Sequence, residues 1–378
     1  MKIFFTGDLF LGGDLLGVSC EDTISSKLYD QADFRVVNLE QAVSDSDYIE
    51  DKCTLYTGSQ ALQQLKQIKV NAVNLAHNHI QDKGLDGIVE TVEQLNKEKI
   101  KNFGAGENIN EASQPLELTE NLVLLGYCEF GKPYLSQVEV ADNNKAGVNP
   151  LRYEKILADL DNLQPNQQAV LYFHWGMEHV WLPPTNDIKL ARKLLADERV
   201  ATIIGMHCHR AQGVVSYKGK KAYMGLGNFL FPNFYIAPPT QISYPSEQEK
   251  QQVKFTTRQY HSVYEPTYKK WRLVNRVSRV LLFDTKTQKL KSEFVVQRDN
   301  SPKVEPVGVV LNGTYILWTT LLSTIYKLPS PVYNLLFKLH AKQTYFIWRT
   351  QIRFFHLRQL GLVKFFEKLK IKIHKKFG

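Results

Sequence analysis

The sequence has few cysteines and no long apolar run. Its four cysteines, in 378 residues, stand at positions 20, 53, 128 and 208. This spacing argues against a disulfide framework and a cysteine-based metal motif, so we expect reduced thiols and a cytoplasmic location. No stretch of twenty apolar residues occurs, so no ordinary transmembrane helix is expected. The first apolar run is interrupted by Asp8, which makes it too short for a signal peptide.

Acidic residues are almost missing from the end of the chain. From His340 to Gly378 there are ten Lys or Arg and one acid, Glu367. This segment accounts for the whole formal net charge of +9, so residues 1–339 sum to zero. The chain as a whole is 43% apolar and 22% charged, which is a globular composition. The positive charge is therefore a property of the tail and not of the body.

Apolar runs alternate with helix-like stretches along most of the chain. The predicted strands are 3–7, 34–39, 72–76, 122–127, 169–173 and 200–204, and the predicted helices are 23–31, 59–67, 85–97, 153–163 and 188–195. Hairpins are predicted within 214–224 and 280–296. This alternation predicts an α/β fold whose sheet is built largely from βα units. The stretch 232–266 has no clear period and predicts a long loop, either a functional lid or a surface insertion.

Side chains able to bind a cation follow several of the predicted strands. They are Asp8, Glu40, Asn78, His79, His174, His207 and His209. In open α/β sheets the carboxyl ends of the strands line the functional crevice. Taken singly, such residues usually cap turns or satisfy local hydrogen bonds, but together they predict a metal site. If the segment of His207 and His209 is extended, their i, i+2 spacing points both rings the same way, which suits two neighbouring ions.

The donor types indicate which ions and which chemistry to expect. Mixed carboxylate, amide and imidazole ligands suit Mn, Fe or Zn better than Mg, because imidazoles are numerous. Two such ions bridged by a carboxylate lower the pKa of water and favour attack on an electrophile such as phosphorus. A histidine beside the ions can protonate the leaving group.

A set of short motifs occurs along residues 1–300 in a recognisable order. The motifs are Gly7-Asp8, Asn38-Leu39-Glu40, Ala76-His77-Asn78-His79, Asp82-x-Gly84, Gly104-Ala105-Gly106, His174-Trp175-Gly176, Gly205-Met206-His207-Cys208-His209 and Leu226-Gly227-Asn228-Phe229. With them the sequence resembles the bacterial capsule-synthesis family typified by CapA and PgsA, the poly-gamma-glutamate capsule proteins. The resemblance implies the calcineurin-like metallophosphoesterase fold, a four-layer α/β/β/α sandwich, over residues 1–300. Residues 301–378 are then a basic, aromatic-rich helical extension.

The resemblance also implies roles for the donors. Asp8 and His209 would hold one ion, Glu40 would bridge, and Asn78, His174 and His207 would hold the second, with His79 as general acid. Phe10 stands where ordinary metallophosphoesterases have a further histidine, and His77 where the family usually has asparagine. We therefore expect one or two divalent ions.

Three functions stay open at this point. The first is a metal-dependent phosphoesterase in capsule, poly-gamma-glutamate or exopolysaccharide biosynthesis. The second is a non-catalytic scaffold or polymer-binding component of a membrane-bound capsule synthesis complex, which the residue Phe10 favours. The third is an amide ligase or hydrolase that acts on poly-gamma-glutamate.

The tail has helical periodicity. Its bulky apolar residues share one face and its basic residues the opposite one: Trp348, Phe355, Leu362, Phe366, Leu369 and Ile373 against Arg349, Arg353, Lys364, Lys368 and Lys375. This pattern predicts an amphipathic helix on an anionic membrane surface at the inner face, with a membrane capsule synthase as a further partner. The alternative is that the helix packs on the body. Nucleic acid is not an expected partner, because the aromatic residues do not interleave with the basic ones.

Overall fold

The computed structural model describes residues 1–132, 135, 137–250, 254–256, 263–299 and 301–377, and for 254–256, 359, 363 and 365–377 it describes the backbone alone. The strands are β1 (Lys2–Leu9), β2 (Phe34–Leu39), β3 (Ala42–Val43), β4 (Tyr56–Thr57), β5 (Ala72–Asn74), β6 (Lys101–Phe103), β7 (Ala105–Gly106), β8 (Leu116–Thr119), β9 (Leu122–Cys128), β10 (Gly147–Val148), β11 (Gln168–His174), β12 (Val200–Met206), β13 (Val214–Tyr217), β14 (Lys220–Tyr223), β15 (Asn228–Leu230), β16 (Phe234–Ala237), β17 (Gln241–Ser243), β18 (Lys254–Thr256), β19 (Thr267–Lys269), β20 (Val277–Asp284), β21 (Lys289–Gln297) and β22 (Val304–Pro306). The α-helices are α1 (Lys27–Asp30), α2 (Leu62–Gln67), α3 (Gly84–Lys97), α4 (Ile109–Ala112), α5 (Tyr153–Asp161), α6 (Thr185–Leu195), α7 (Glu247–Lys250), α8 (Leu273–Arg276), α9 (Val309–Ile325) and α10 (Ser330–Phe377).

Two large sheets form the body. The first has the order β22-β21-β20-β1-β2-β5-β6, with β15 also paired to β1. In it β1, β2, β5 and β6 run parallel, and β20 lies antiparallel to β1. The second has the order β13-β14-β12-β11-β9-β8, in which β9, β11, β12 and β14 are parallel. The predicted α/β class, built from parallel strands and connecting helices, is confirmed.

Alternate residues of the central strands contribute to different cores. Ile3 and Phe5 of β1 pack in one cluster with Tyr172 of β11, which joins the two sheets. Phe4, which points to the opposite face of β1, packs instead in a cluster with residues of α2 and α3 such as Leu65 and Ile88. A third cluster joins β9, β11 and β12 to α5, α6 and the C-terminal helices. The two sheets are therefore held face to face by apolar burial, which fixes how their edges meet.

Most predicted elements occur close to their predicted bounds, with two exceptions. The helix predicted at 23–31 is only the short α1, Lys27–Asp30. The stretch 232–266, predicted as a long loop, contributes β16, β17 and β18 to a four-stranded sheet completed by β19. Phe234, Ile236, Ile242 and Val263 are buried there. Aromatic and β-branched side chains gave this segment a core of its own, although it has no simple period.

The C-terminal residues form two helices against the second sheet. Tyr326, which follows α9, and Tyr333 in α10 are buried in the cluster that covers that sheet. The tail helix is longer than predicted and is kinked at Gly361, whose φ is 72°. Trp348 and Phe355 of its predicted apolar face turn toward the body, whereas Leu362 is 64% exposed. The side chains of Phe366, Lys368, Leu369, Ile373 and Lys375 lie outside the described residues. Among the helices described, none combines the length and apolarity needed to cross a bilayer.

Candidate metal centre

The first sheet brings four of the predicted donors to one edge. Asp8 lies near the carboxyl end of β1, Glu40 directly follows β2, and Asn78 and His79 follow β5 after a short turn. Because β1, β2 and β5 are parallel neighbours, their carboxyl ends meet at the same edge. Asp8 and Glu40 are fully buried there.

The second sheet supplies the remaining imidazoles. His174 is the last residue of β11, and His207 and His209 follow β12, which ends at Met206. The expectation of an extended segment at His207 and His209 is wrong, because φ is 79° at His207 and 51° at His209. Both backbones are left-handed, a conformation that costs about 1–3 kcal/mol per residue and concentrates at functional sites. A tight turn, and not a strand, therefore aims the two rings.

A close approach of two backbones fixes Asp8 in this edge. The amide of Asp8 donates to the carbonyl oxygen of Gly227 at 3.0 Å. A Cβ at Gly7 would lie 1.8 Å from that oxygen, so only glycine fits at position 7. On the other side, the amide of His207 lies 3.5 Å from Oδ1 of Asp8. Asp8 thus lies at the point where the two sheets meet.

Two groups of donors share Glu40. Glu40, His174 and His207 form one, and Asp8, Glu40 and His209 form the other, and within each group the donor atoms lie within 4.8 Å of one another. Glu40 Oε1 lies 3.8 Å from Nε2 of both His174 and His209. This is the arrangement expected when one carboxylate lies between two ion positions.

Several of these donor atoms are buried without a hydrogen-bond partner. Within the described part of the chain, this holds for Asp8 Oδ2, both oxygens of Glu40, both ring nitrogens of His207 and His174 Nδ1. Buried polar atoms are rarely left unsatisfied, because each costs about 1–3 kcal/mol. The donor set therefore fits divalent cations, which would satisfy these atoms together.

Asparagine side chains orient the donors, and the sequence reading gave them no role. Asn38 Nδ2 donates to Asp8 Oδ1 at 2.9 Å and is itself supported by Asn74. Asn228 Oδ1 lies 2.7 Å from Nδ1 of His209, which leaves Nε2 of that ring free to face Glu40. Such partners fix the tautomer and direction of a ligating imidazole. The signal available in the sequence was an asparagine within or beside an apolar run at 38, 74 and 228.

Asn78 and His174 converge on one point. Asn78 Oδ1 lies 2.7 Å from Nε2 of His174, although the two residues are 96 positions apart. The ring of His174 also lies tilted against that of His207, with a ring-centroid distance of 4.6 Å. The side chains predicted to hold the second ion are therefore neighbours in the fold.

His79 belongs to a buried chain of charges. Its Nδ1 lies 2.7 Å from Oδ2 of Asp82, and Lys52 pairs with the other oxygen of that carboxylate at 2.7 Å. Asp82 also accepts from the amide of Leu55, so the carboxylate is held from three sides. The ring of His79 is thereby oriented, as a proton donor in a site must be. Nδ1 of the neighbouring His77 accepts from the amide of His79 at 3.2 Å, which gives that extra imidazole a structural contact.

The electrostatics of the centre favour neutral imidazoles. Burial, followed by the charges of Asp8 and Glu178, raises the pKa of Glu40 well above its ordinary value. Burial and the neighbouring His207 keep the pKa of His174 well below the usual range. Burial lowers the pKa of His207 to about 4. A neutral ring is the form that binds a cation, so these histidines are ready to act as ligands without losing a proton.

Three further residues near the donors are Phe10, Cys208 and Glu178. The ring of Phe10 is fully buried and packs on Phe231 at a centroid distance of 5.4 Å. Phe231 in turn contacts the ring of His209 edge-on, so an aromatic wall borders this side of the centre. Cys208 is buried, and burial raises the pKa of its thiol to about 12, so the thiol stays protonated and packs in the interior. Glu178 is a carboxylate close to the centre that the sequence reading missed.

A two-sheet α/β body with cation donors at the facing strand ends defines the metallophosphoesterase-like class of proteins. The family model described as "Bacterial capsule synthesis protein PGA_cap" matches residues 2–233, which is more than half of the chain. The chain therefore belongs to this family.

The names of similar proteins agree with this assignment. The chain is 24% identical over 242 residues to the "PGA biosynthesis protein CapA" of Bacillus subtilis, an alignment that covers 60% of this chain and 62% of the relative. It is 25% identical over 172 residues to the "Capsule biosynthesis protein CapA" of Bacillus anthracis, covering 44% and 41%. It is 24% identical over 209 residues to a "Probable polyglutamine synthesis accessory protein" of Mycobacterium tuberculosis, covering 52% and 55%. The matches thus span from 41% to 62% of the relatives' lengths.

Proposed function

We propose that the chain is a metal-dependent hydrolase of phosphoesters that serves capsule, poly-gamma-glutamate or exopolysaccharide biosynthesis. The observation that carries the proposal is the pair of donor groups that share Glu40, with their buried and unpartnered oxygen and nitrogen atoms. In this proposal Asp8 and His209 hold one ion, Asn78, His174 and His207 hold the second, and Glu40 bridges. The numerous imidazoles favour Mn, Fe or Zn over Mg.

Bound ions would supply Lewis-acid stabilisation of the phosphoryl oxygens and a lowered pKa of water. The protein's own residues do the rest. Asn38 and Asn228 orient Asp8 and His209. His79, held by Asp82, delivers a proton to the leaving oxygen.

The bridging carboxylate gives the direct test. Replacing Glu40 by Gln keeps the shape but removes the negative charge, so we expect metal affinity to fall by about tenfold or more. Elemental analysis measures the number of metal ions per chain, and hydrolysis of bis(p-nitrophenyl) phosphate measures turnover. Glu117→Gln, an exposed carboxylate of β8, is the matched control and should change neither. Equal metal content and turnover in Glu40→Gln and wild type would overturn the proposal.

A non-catalytic scaffold is the second candidate, and Phe10 favours it. This residue stands where a further histidine ligand is expected in ordinary metallophosphoesterases, and its ring is packed between Phe231 and Phe234. A scaffold that binds a polymer or a membrane synthase would contain less than one metal per chain and turn over no ester. The same elemental analysis separates the two candidates.

The layer order α/β/β/α, with residues 1–300 as body and 301–378 as helical extension, is part of this proposal. It is supported by the clusters that join the two sheets and cover each of them with helices. The contacts of Tyr326 and Tyr333 mean that the extension would be docked on the body and not free.

We also propose that the C-terminal helices meet an anionic membrane surface, near a membrane capsule synthase. Because Trp348 and Phe355 face the body, other side chains would make this contact. Large exposed apolar residues occur on both helices: Leu317 and Leu321 on α9, and Leu335, Leu339, Phe346 and Phe354 on α10. Lys342, Arg349 and Arg353 are exposed on α10 among them. Apolar side chains with nearby cations suit a lipid surface of negative charge.

A further inference from the structure

A cavity of about 250 Å³ lies between the body and α10, beside the metal centre. Its walls come from His179, from Arg210 and from residues 269–272 on the body, and from residues 340–351 of α10. His179 stacks on the ring of His209 at a centroid distance of 5.3 Å. The cavity therefore begins one ring away from a proposed ion position.

Arg210 is the unusual wall residue. Within the described residues, its Nε and Nη1 are buried and have no hydrogen-bond partner, and its guanidinium carbon lies 5.0 Å from the centre of the Trp181 ring. Burial lowers the pKa of Arg210 to about 10, so the side chain stays positively charged at neutral pH. Buried donor nitrogens without partners are unfavourable, and an anion in the cavity would accept hydrogen bonds from these two nitrogens.

Other charged side chains that line the cavity add to its positive potential. Lys269 Nζ lies 3.9 Å from the centre of the Trp271 ring, and the charge of Arg272 is near enough to lower the pKa of Arg210, after the larger effect of burial. Lys270 is paired with Asp299, which offsets its charge. Among the described wall residues there is no Asp or Glu. The cavity thus concentrates positive charge with no acidic residue on its walls.

The neutral polar groups of the cavity include hydrogen-bond donors. Nε2 of His340 accepts from the amide of Trp181 at 2.9 Å, so the neutral ring carries its proton on Nδ1. Gln343 and Gln351 of α10 add amide groups to the same wall. A group that accepts several hydrogen bonds and carries negative charge matches this surface, which describes a phosphate or a carboxylate.

We propose that the cavity binds an anionic group of the substrate, a phosphate or a carboxylate, while another part of the same molecule lies at the metal centre. The second half of this statement rests on the proposed function, whereas binding of the anion does not. The tail helix α10 would then complete the substrate site. The volume is below the range of about 300–1,000 Å³ usual for drug-sized ligands, so the cavity suits one charged group.

Tryptophan fluorescence gives a direct assay, because three of the five tryptophans, Trp181, Trp271 and Trp348, line the cavity. The full chain, stripped of metal with EDTA, is titrated separately with inorganic phosphate and with a pentaglutamate peptide. We expect a saturable change with at least one of them. Saturation by phosphate alone identifies a phosphate site, saturation by the peptide alone a carboxylate site, and saturation by both a general anion site. No saturation with either probe overturns the proposal.

Substitutions locate the binding. Arg210→Gln should raise Kd by about thirtyfold or more, because a buried charge contact is lost. Arg272→Gln, at an exposed position, should raise it by about threefold to fivefold. Lys291→Gln, on the exposed part of β21, is the control and should leave Kd unchanged. If Arg210→Gln does not fold, Arg272→Gln carries the test, and an unchanged Kd in that variant overturns the proposal. Hydrolysis is assayed separately, so loss of turnover with binding intact counts against the proposed function alone.

Discussion

At the scale of single residues, burial decides the chemistry of the centre. Asp8, Glu40, His174 and His207 are all removed from water, and several of their polar atoms have no partner within the described chain. Such a cluster is destabilising for the folded protein unless cations enter it. The residues that support it, Asn38 and Asn228, are equally buried and direct the donor atoms.

His79 gives the first residue-scale prediction. His79→Ala removes the proposed proton donor but none of the proposed ligands, so kcat should fall by about 10²–10⁴-fold while metals per chain stay unchanged. Asp82→Asn leaves the His79 ring in the site but weakens the contact that orients it. This variant should therefore lower kcat by less than His79→Ala does, with KM unchanged. Stopped assays with bis(p-nitrophenyl) phosphate measure kcat and KM, and elemental analysis measures metals per chain. An unaltered kcat in His79→Ala with metal bound would exclude His79 as the acid.

The imidazoles give a pH prediction for the EDTA-treated protein. Burial lowers the pKa of His207 to about 4 and that of His179 to about 3, from an ordinary value of 6.5. Between pH 6.5 and 4 the unfolded chain binds protons that the folded chain does not, so the folded state loses stability as pH falls. The free energy of unfolding should drop by about 1.4 kcal/mol per pH unit for each such imidazole.

Urea denaturation at pH 7, 6 and 5 measures this dependence. His179→Asn removes one of the titrating rings and should reduce the slope. Because the raised pKa of Glu40 contributes a slope of opposite sign, the difference between the two proteins is the test: an equal pH dependence in His179→Asn and wild type would show that the His179 ring is not buried in its neutral form.

At the scale of elements, the C-terminal helices are docked on the body. Tyr333 of α10 is 2% exposed, and its hydroxyl donates to the carbonyl oxygen of Pro183 at 2.7 Å. Tyr326 accepts from the amide of Gly213 through its own hydroxyl. The centroids of these two rings lie 6.0 Å apart. Both rings pack on the second sheet and hold the junction of α9 and α10 against it.

Tyr333 supplies the element-scale prediction. Tyr333→Ala empties a buried aromatic site and removes a hydrogen bond, so the free energy of unfolding should fall by about 3 kcal/mol or more. Tyr345→Ala, on the same helix but 51% exposed, is the matched control and should change stability little. The midpoints of urea denaturation of the two variants and the wild type measure these changes in stability. Equal midpoints for Tyr333→Ala and wild type would mean that α10 is not docked at this position.

At the scale of the whole molecule, charge and exposed apolar surface are concentrated at the C-terminal end. The tail contains the entire net positive charge. The described parts of α9 and α10 expose many large apolar side chains, including Leu317, Leu335 and Phe346. Such a patch next to cations indicates an interaction surface.

Vesicle sedimentation tests this surface. The protein should pellet with vesicles of anionic lipid, and binding should weaken as salt is raised, because salt screens exposed charges. Replacing Arg349, Arg353 and Arg358 by Gln should reduce pelleting, since each basic residue near such a surface contributes about 1 kcal/mol. Lys289, Lys291 and Lys303, changed together to Gln, control for total charge. Equal pelleting of the two triple variants would contradict the proposal.

The sequence by itself determined the α/β class, most strand and helix positions, and the residues that carry cation-binding atoms. It could do so because apolar periodicity and polar residues at strand ends are local signals, visible in 34–40 or 200–209 alone. Only the tertiary structure decided that Asp8 and His207 are neighbours and that a left-handed turn aims His207 and His209. It also decided that Trp348 and Phe355 face the body, and that Arg210 lines a cavity beside α10. These depend on how two sheets and a distant helix pack, which is set by contacts between residues far apart in the chain and not by any local pattern.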